Sequence, residues 1–251
     1  MKIKKYLIAA AVALFLFGCS SIDNSSVDDK TEKEAKIVCF GNSLTEGHGA
    51  GTLYHPIDKN KSYPHYLAEK LNAPVINLGV SGETTADAVE RIDDVLLYNP
   101  MVVFIEFGAN DLFEQVRGSW RGKDIDPNFV DKAKKNFEII LDKLADGDRQ
   151  IYLIKFYNED VAREMITKYL SDEYMYIYDQ YEAMFSSLEN KYKKVFLIEN
   201  MWDGIWGNSE LMYADFIFEI HPNAAGYKIM ADNIFKAFSK TSAIGTISIS
   251  F

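Results

Sequence analysis

The chain has 251 residues, of which 48% are hydrophobic, 25% charged and 14% aromatic, with only 6 prolines. That composition excludes disorder, collagen-like repeats and low-complexity sequence and supplies enough apolar material for a sizeable core. Its 27 Lys+Arg against 37 Asp+Glu give a formal charge of −10; with no long basic cluster to neutralise phosphates, a nucleic-acid partner is not expected, and two cysteines exclude a disulfide scaffold.

Lys2, Lys4 and Lys5 precede an apolar run from Tyr6 to Phe17 that is too short to span a bilayer. The run ends Leu16-Phe17-Gly18-Cys19, which resembles the bacterial lipobox, although Phe17 is bulky for its position. The resemblance implies a lipoprotein signal peptide over residues 1–18 and lipidation of Cys19 as the mature N-terminus. The alternative is an ordinary secretory signal cut elsewhere, but no small-x-small site stands at the end of the run. Residues 19–35 are polar and aperiodic, as a flexible tether would be, and 36–251 form the expected domain. The expected location is the cell envelope, anchored through the lipid to a bacterial membrane and facing away from the cytoplasm; the leaflet and the oligomeric state are left open.

Within the domain, short apolar runs alternate with helical patterns. The runs Ile37–Phe40, Val75–Leu78, Met101–Phe107, Ile151–Phe156 and Val195–Ile198 are continuous, as strands covered on both faces are. Between them, Ser62 and Pro64 open a helix to Leu71, and Thr84 or Thr85 caps one ending before Asn99-Pro100. Pro127 starts a third to about Ala145, Glu159 to Asn190 is helical with a break near Ser171, and the last helix runs from about Asn223 to Phe238. Tyr174, Tyr178, Tyr181 and Phe185 share one helical face and read as packing. Strand and helix in alternation predict an α/β fold: a doubly wound, mostly parallel five-stranded sheet with helices on both faces.

In such sheets ligands bind beyond the carboxyl ends of the strands, so the segments there come first: Gly41-Asn42-Ser43-Leu44-Thr45, Gly79-Val80-Ser81-Gly82-Glu83-Thr84, Gly108-Ala109-Asn110-Asp111 and His221-Pro222-Asn223. Taken in this order along nearly the whole domain, the four blocks resemble those of the SGNH (GDSL-like) hydrolases. The resemblance implies a flavodoxin-like SGNH hydrolase fold with Ser43 as nucleophile and His221 as base. It implies an oxyanion hole made by Ser43, Gly82 and Asn110. The chemistry asks for these residue types on its own account, because a serine hydroxyl needs an imidazole to take its proton and an oxyanion needs donors already in place. Gly-x-Ser-x-Gly is absent, so the nucleophile elbow of α/β-hydrolases is not the motif present.

Two positions depart from the family pattern. Asn42 replaces the usual Asp, which is expected to alter a structural hydrogen bond more than the chemistry. Phe218 stands three residues before His221, where the triad acid belongs, leaving Asp215 or Glu219 as candidate acids. His48, His55 and His65 lack metal-ligand spacing and are expected in solvent; no metal and no cofactor are expected, and Cys39 reads as a small buried hydrophobe. Trp120, Trp202 and Trp206 are candidates for the wall of an acyl or alcohol pocket, with packing an equal account. The expected function is that of a serine esterase acting on a short-chain acyl ester, such as a sugar O-acetyl group or a lysophospholipid, through an acyl-enzyme. The alternatives are a binding lipoprotein without activity, motivated by Phe218, and an O-acyltransferase using the same residues.

Overall fold

Ile37–Gly41 (β1), Val75–Gly79 (β2), Val102–Glu106 (β3), Gln150–Ile154 (β4) and Val195–Ile198 (β5) are the apolar runs of the sequence. They pair side by side, all parallel, in the order β2-β1-β3-β4-β5. The structure is a computed structural model and describes residues 37–145, 148–214 and 220–244. Cys19, the expected signal and tether, and the segment carrying Asp215, Phe218 and Glu219 lie outside the described residues.

The register aligns Ile37 with both Val75 and Val102, so Gly41, Gly79 and Glu106 finish level at one edge. Strand order reverses direction at β1: the chain moves outward to β2, then crosses back to β3. That switch leaves a crevice at the carboxyl edge of β1 and β3, because the crossovers on the two sides depart to opposite faces.

The helices are Ser43–Glu46 (α1), Tyr63–Leu71 (α2), Thr85–Leu97 (α3), Ala109–Ser119 (α4), Phe129–Leu144 (α5), Glu159–Tyr169 (α6), Tyr176–Lys191 (α7) and Ala224–Ile244 (α8). Thr84 caps α3 with a capping box shared with Asp87, Pro64 lies in the first turn of α2, and the chain breaks between Tyr169 and Tyr176. Helix α2 packs on α8, while α3 packs on α5 and α5 on α7, so two helical layers sandwich the sheet. Phe104 and Tyr152 stack at 5.2 Å beneath Phe238 of α8. Each such ring, fully buried, contributes about 1.5–3 kcal/mol relative to exposure.

Three details differ from the sequence reading. β2 is a sheet edge and only half-buried along most of its length, since an edge strand has a neighbour on one side only. Ala109–Ser119 is a helix, so Asn110 lies in a first helical turn rather than a loop. The last helix extends past Phe238 to Ile244.

Candidate active site

Asn42 follows β1 and caps α1, its Oδ1 accepting the Leu44 N–H at 3.1 Å. Ser43 is therefore the first residue of α1, at the carboxyl edge of a central strand. The turn rests on a buried polar cluster. Asn42 Nδ2 donates to Glu106 Oε1 at 3.1 Å, Thr45 Oγ1 donates to Glu106 Oε2 at 3.3 Å, and the Tyr63 hydroxyl lies 3.0 Å from Thr45 Oγ1. Burial lifts the Glu106 carboxyl to about 8, against the opposing pull of the bonds from Asn42 and Thr45. The departure at position 42 thereby gains a physical account: an amide can donate to Glu106, whereas a carboxylate there would face a second acid. Cys39 is fully buried and its thiol is pushed strongly up by desolvation, consistent with a packing residue.

His221 precedes α8 on a turn that bonds to itself. The Tyr213 N–H donates to the His221 carbonyl at 2.8 Å, and the Asn223 N–H to the Leu211 carbonyl at 2.8 Å. Asn223 Oδ1 then accepts the Ala225 and Gly226 N–H groups that open the helix. This placement brings His221 Nε2 to 2.9 Å from Ser43 Oγ, across 178 residues of sequence. The turn seats on Gly49, where φ is +91° and a Cβ would stand 2.5 Å from the Pro222 carbonyl oxygen and 3.1 Å from His221 Cβ.

His48, expected in solvent, is instead half-buried with its ring centroid 4.3 Å from that of His221. The reason is local: α1 ends at Gly47, which turns the chain back, and the Tyr227 hydroxyl bonds the His48 carbonyl at 2.7 Å. His55 is exposed, and His65 pairs with Glu69 at 3.5 Å. Neither adjoins the site. The two candidate acids, Asp215 and Glu219, lie outside the described residues.

Gly82 adopts φ +86°, a region that favours glycine, and nothing lies within 4 Å of where its Cβ would be. Its loop is fixed from both sides. Ser81 donates its N–H and hydroxyl to Glu46 Oε2 at 2.9 and 2.6 Å, and Asn110 Nδ2 donates to the Glu83 carbonyl at 2.8 Å. A carboxamide has two N–H groups, so one remains for a ligand. Asp111 was not singled out by sequence, yet it accepts the Thr85 N–H at 3.0 Å and hydroxyl at 2.6 Å, tying the start of α4 to the start of α3. Its burial raises the carboxyl above its ordinary value. Only the neighbouring Asn110 hinted at it; the partner Thr85 is 26 residues away.

A cavity of about 290 Å³ is walled by Met165, Tyr169, Trp206, Met212 and Tyr213, with Glu164 and Lys168 among its lining residues; Ser43 and His221 are not among them. Tyr213 links it to the site, its ring 6.2 Å from that of His48. Of the three tryptophans, Trp206 alone is among the lining residues, held by a 2.7 Å bond from Nε1 to Glu164 Oε2. Trp202 is core, bonded to the Phe156 carbonyl, and Trp120 is exposed beside Tyr169. No group of three or more His, Cys, Asp or Glu side chains suited to a metal occurs among the described residues.

The model of the GDSL-like lipase/acylhydrolase family matches residues 39–229. The uncharacterized protein YpmR of Bacillus subtilis (strain 168) is 24% identical over 263 residues, covering 96% of this chain and 98% of its own. The uncharacterized lipoprotein YqeF of the same organism is 38% identical over 78 residues, or 30% of this chain and 31% of its own. Among solved structures, AlinE4, an SGNH-hydrolase family esterase, superposes with a TM-score of 0.53 at 26% identity, covering 86% of this chain and 98% of that one.

Proposed function

Because the chain belongs to the GDSL-like lipase/acylhydrolase family, a family of hydrolases, we propose that it is a serine esterase working through an acyl-enzyme. The observation that carries this reading is the 2.9 Å approach of His221 Nε2 to Ser43 Oγ, hydrogen-bond reach for a nucleophile and its base. Ser43 Oγ attacks the ester carbonyl as His221 takes its proton. The tetrahedral oxyanion is held by the Ser43 and Gly82 N–H groups and the second N–H of Asn110. His221 then gives the proton to the leaving alcohol, and water repeats the sequence to release the carboxylic acid and restore Ser43. Asp215 or Glu219 is assigned the orientation of His221.

The substrate is proposed to be a small acyl ester. The cavity walled in part by Tyr213 offers room beyond an acetyl group, and its aromatic and methionine walls with Glu164 and Lys168 suit an amphiphilic partner. Cys19 is proposed as a lipidated N-terminus holding the domain at a bacterial envelope membrane; the apolar run before it and the lipoprotein named among the partial relatives support this. Cys19→Ser is expected to release the protein to the soluble fraction with its activity unchanged.

The test is covalent labelling by a fluorophosphonate together with hydrolysis of nitrophenyl esters of rising chain length. Wild type is expected to label and turn over, and Ser43→Ala to do neither while melting within a few degrees of wild type, since a small half-exposed hydroxyl adds little to the core. Turnover retained by Ser43→Ala would remove Ser43 from the mechanism.

A further inference from the structure

Glu106 is a carboxyl group completely enclosed at the end of β3, directly under the turn that carries the proposed nucleophile. It touches both neighbours of that turn's functional end: Asn42, which precedes Ser43, and Thr45, which lies two residues beyond it. No step of the hydrolysis uses it. Glu106 has no ion-pair partner among the described residues, and a buried acid so placed is costly to ionise.

We propose that Glu106 is a positioning residue of the esterase, which in its neutral form fixes Ser43 through Asn42 and Thr45 and on ionising lowers activity. The inference rests on the serine esterase reading. The neutral acid suits its surroundings because burial disfavours the charge while both oxygens stay bonded: Oε1 accepts from Asn42 Nδ2 and Oε2 from Thr45 Oγ1, which in turn pairs with the Tyr63 hydroxyl. The ionised form places a full negative charge against Asn42 and Thr45, in the turn whose Ser43 N–H is to hold a developing oxyanion, in a medium that screens it poorly.

Among the described residues, Tyr63 on α2 and Tyr227 on α8 interact electrostatically with Glu106, and Cys39 on β1 pairs with Tyr63. Burial pushes all three above their ordinary values, and Glu106 itself adds to the rise at both tyrosines. They therefore stay neutral across the range in which Glu106, lifted by burial to about 8, changes charge. The sign follows: Glu106 is protonated below that pH, so its support of Ser43 is complete in neutral solution and lost as pH rises through it.

The experiment measures the fluorophosphonate labelling rate of the full chain against pH for wild type, Glu106→Gln and Glu106→Leu, with melting temperatures alongside. Wild-type labelling is expected to fall about tenfold or more as the pH climbs through 8, the cost of a charge misplaced in a site that needs fixed dipoles. Glu106→Leu is expected to label about 10²-fold more slowly at neutral pH, as a displaced nucleophile does. Glu106→Gln, which cannot ionise, should recover most of that loss and show no alkaline fall. If wild type and Glu106→Gln share the same alkaline fall, the group responsible is another and the inference is overturned; wild-type rates from Glu106→Leu overturn it as well. Should Glu106→Leu fail to fold, the Gln profile decides alone. Absence of labelling in wild type at every pH would instead overturn the esterase reading, and this inference with it.

Discussion

Around Ser43, the residues Asn42, Thr45, Glu106 and Tyr63 are all buried and bonded to one another. Around His221 the described residues 211–214 and 220–223 are mostly half-buried, bond to one another through Tyr213 and His221 and through Leu211 and Asn223, and lean on Gly49 and His48. The half-buried nucleophile thus stands on a turn built into the core through β1, α1 and β3. The imidazole is docked against that core. Lesions on the first side should cost stability together with activity, while lesions on the second should displace a catalytic group from a domain that stays folded.

The largest effects are expected on the docked side. Asp215→Asn and Glu219→Gln should give unequal losses of turnover, one of about 10³–10⁴ and the other slight, because an amide cannot stabilise the imidazolium. Full activity in both variants would leave a Ser-His dyad, with His221 oriented by something other than a carboxylate. Outside both regions, Asn110→Ala should lower kcat by about 10²–10³ with a smaller change in KM, since its bond strengthens as the oxyanion develops. A change in KM alone would assign Asn110 to ground-state binding.

Gly49→Ala and Thr45→Val set the two sides against each other. The first introduces a Cβ 2.5 Å from the Pro222 carbonyl oxygen at a positive φ, and should reduce kcat by about 10-fold or more by moving His221, with a modest fall in melting temperature. The second keeps the shape of the turn but removes the hydroxyl bonded to Glu106 and Tyr63, leaving buried groups unsatisfied at about 1–3 kcal/mol. Denaturant unfolding and steady-state kinetics on the same two variants would erase the distinction if their effects fell the other way round.

The smallest effect concerns pH and stability. Glu106 holds its proton in the folded protein up to about pH 8 but would lose it from the unfolded chain at its ordinary value of 4.5. Between those values the unfolded state binds fewer protons, so stability falls as pH rises and then levels off. Relative to wild type, Glu106→Gln should therefore gain stability progressively from about pH 5 to pH 8, by an amount on the order of a few kcal/mol or less. A difference that is flat across that window would mean Glu106 is already ionised in the native state.

Much of this was legible in the sequence for a simple reason: strand and helix runs are local patterns, and apolar continuity or a cap such as Thr84 reports its element without reference to the rest of the chain. The parallel sheet and the helix break near Ser171 follow from local signals, and the approach of His221 to Ser43 follows from them combined with the rule that segments beyond the strands share an edge. The helix from Ala109 to Ser119 escaped because its opening, Gly108-Ala109-Asn110-Asp111, carries turn residues that serve equally well as a helix start.

What only the tertiary structure decided are pairings between residues distant in sequence. That Glu106 lies under Asn42 depends on the parallel register of β1 with β3, which sets Gly41 opposite Glu106. That Asp111 ties itself to Thr85, that His48 packs on His221, and that Trp206 rather than Trp120 or Trp202 faces the cavity depend on how whole elements dock. A residue's own neighbours in the chain determine its backbone conformation; its desolvation and its hydrogen-bond partners come from segments that packing brings beside it, and those fix what a carboxyl such as Glu106 can do.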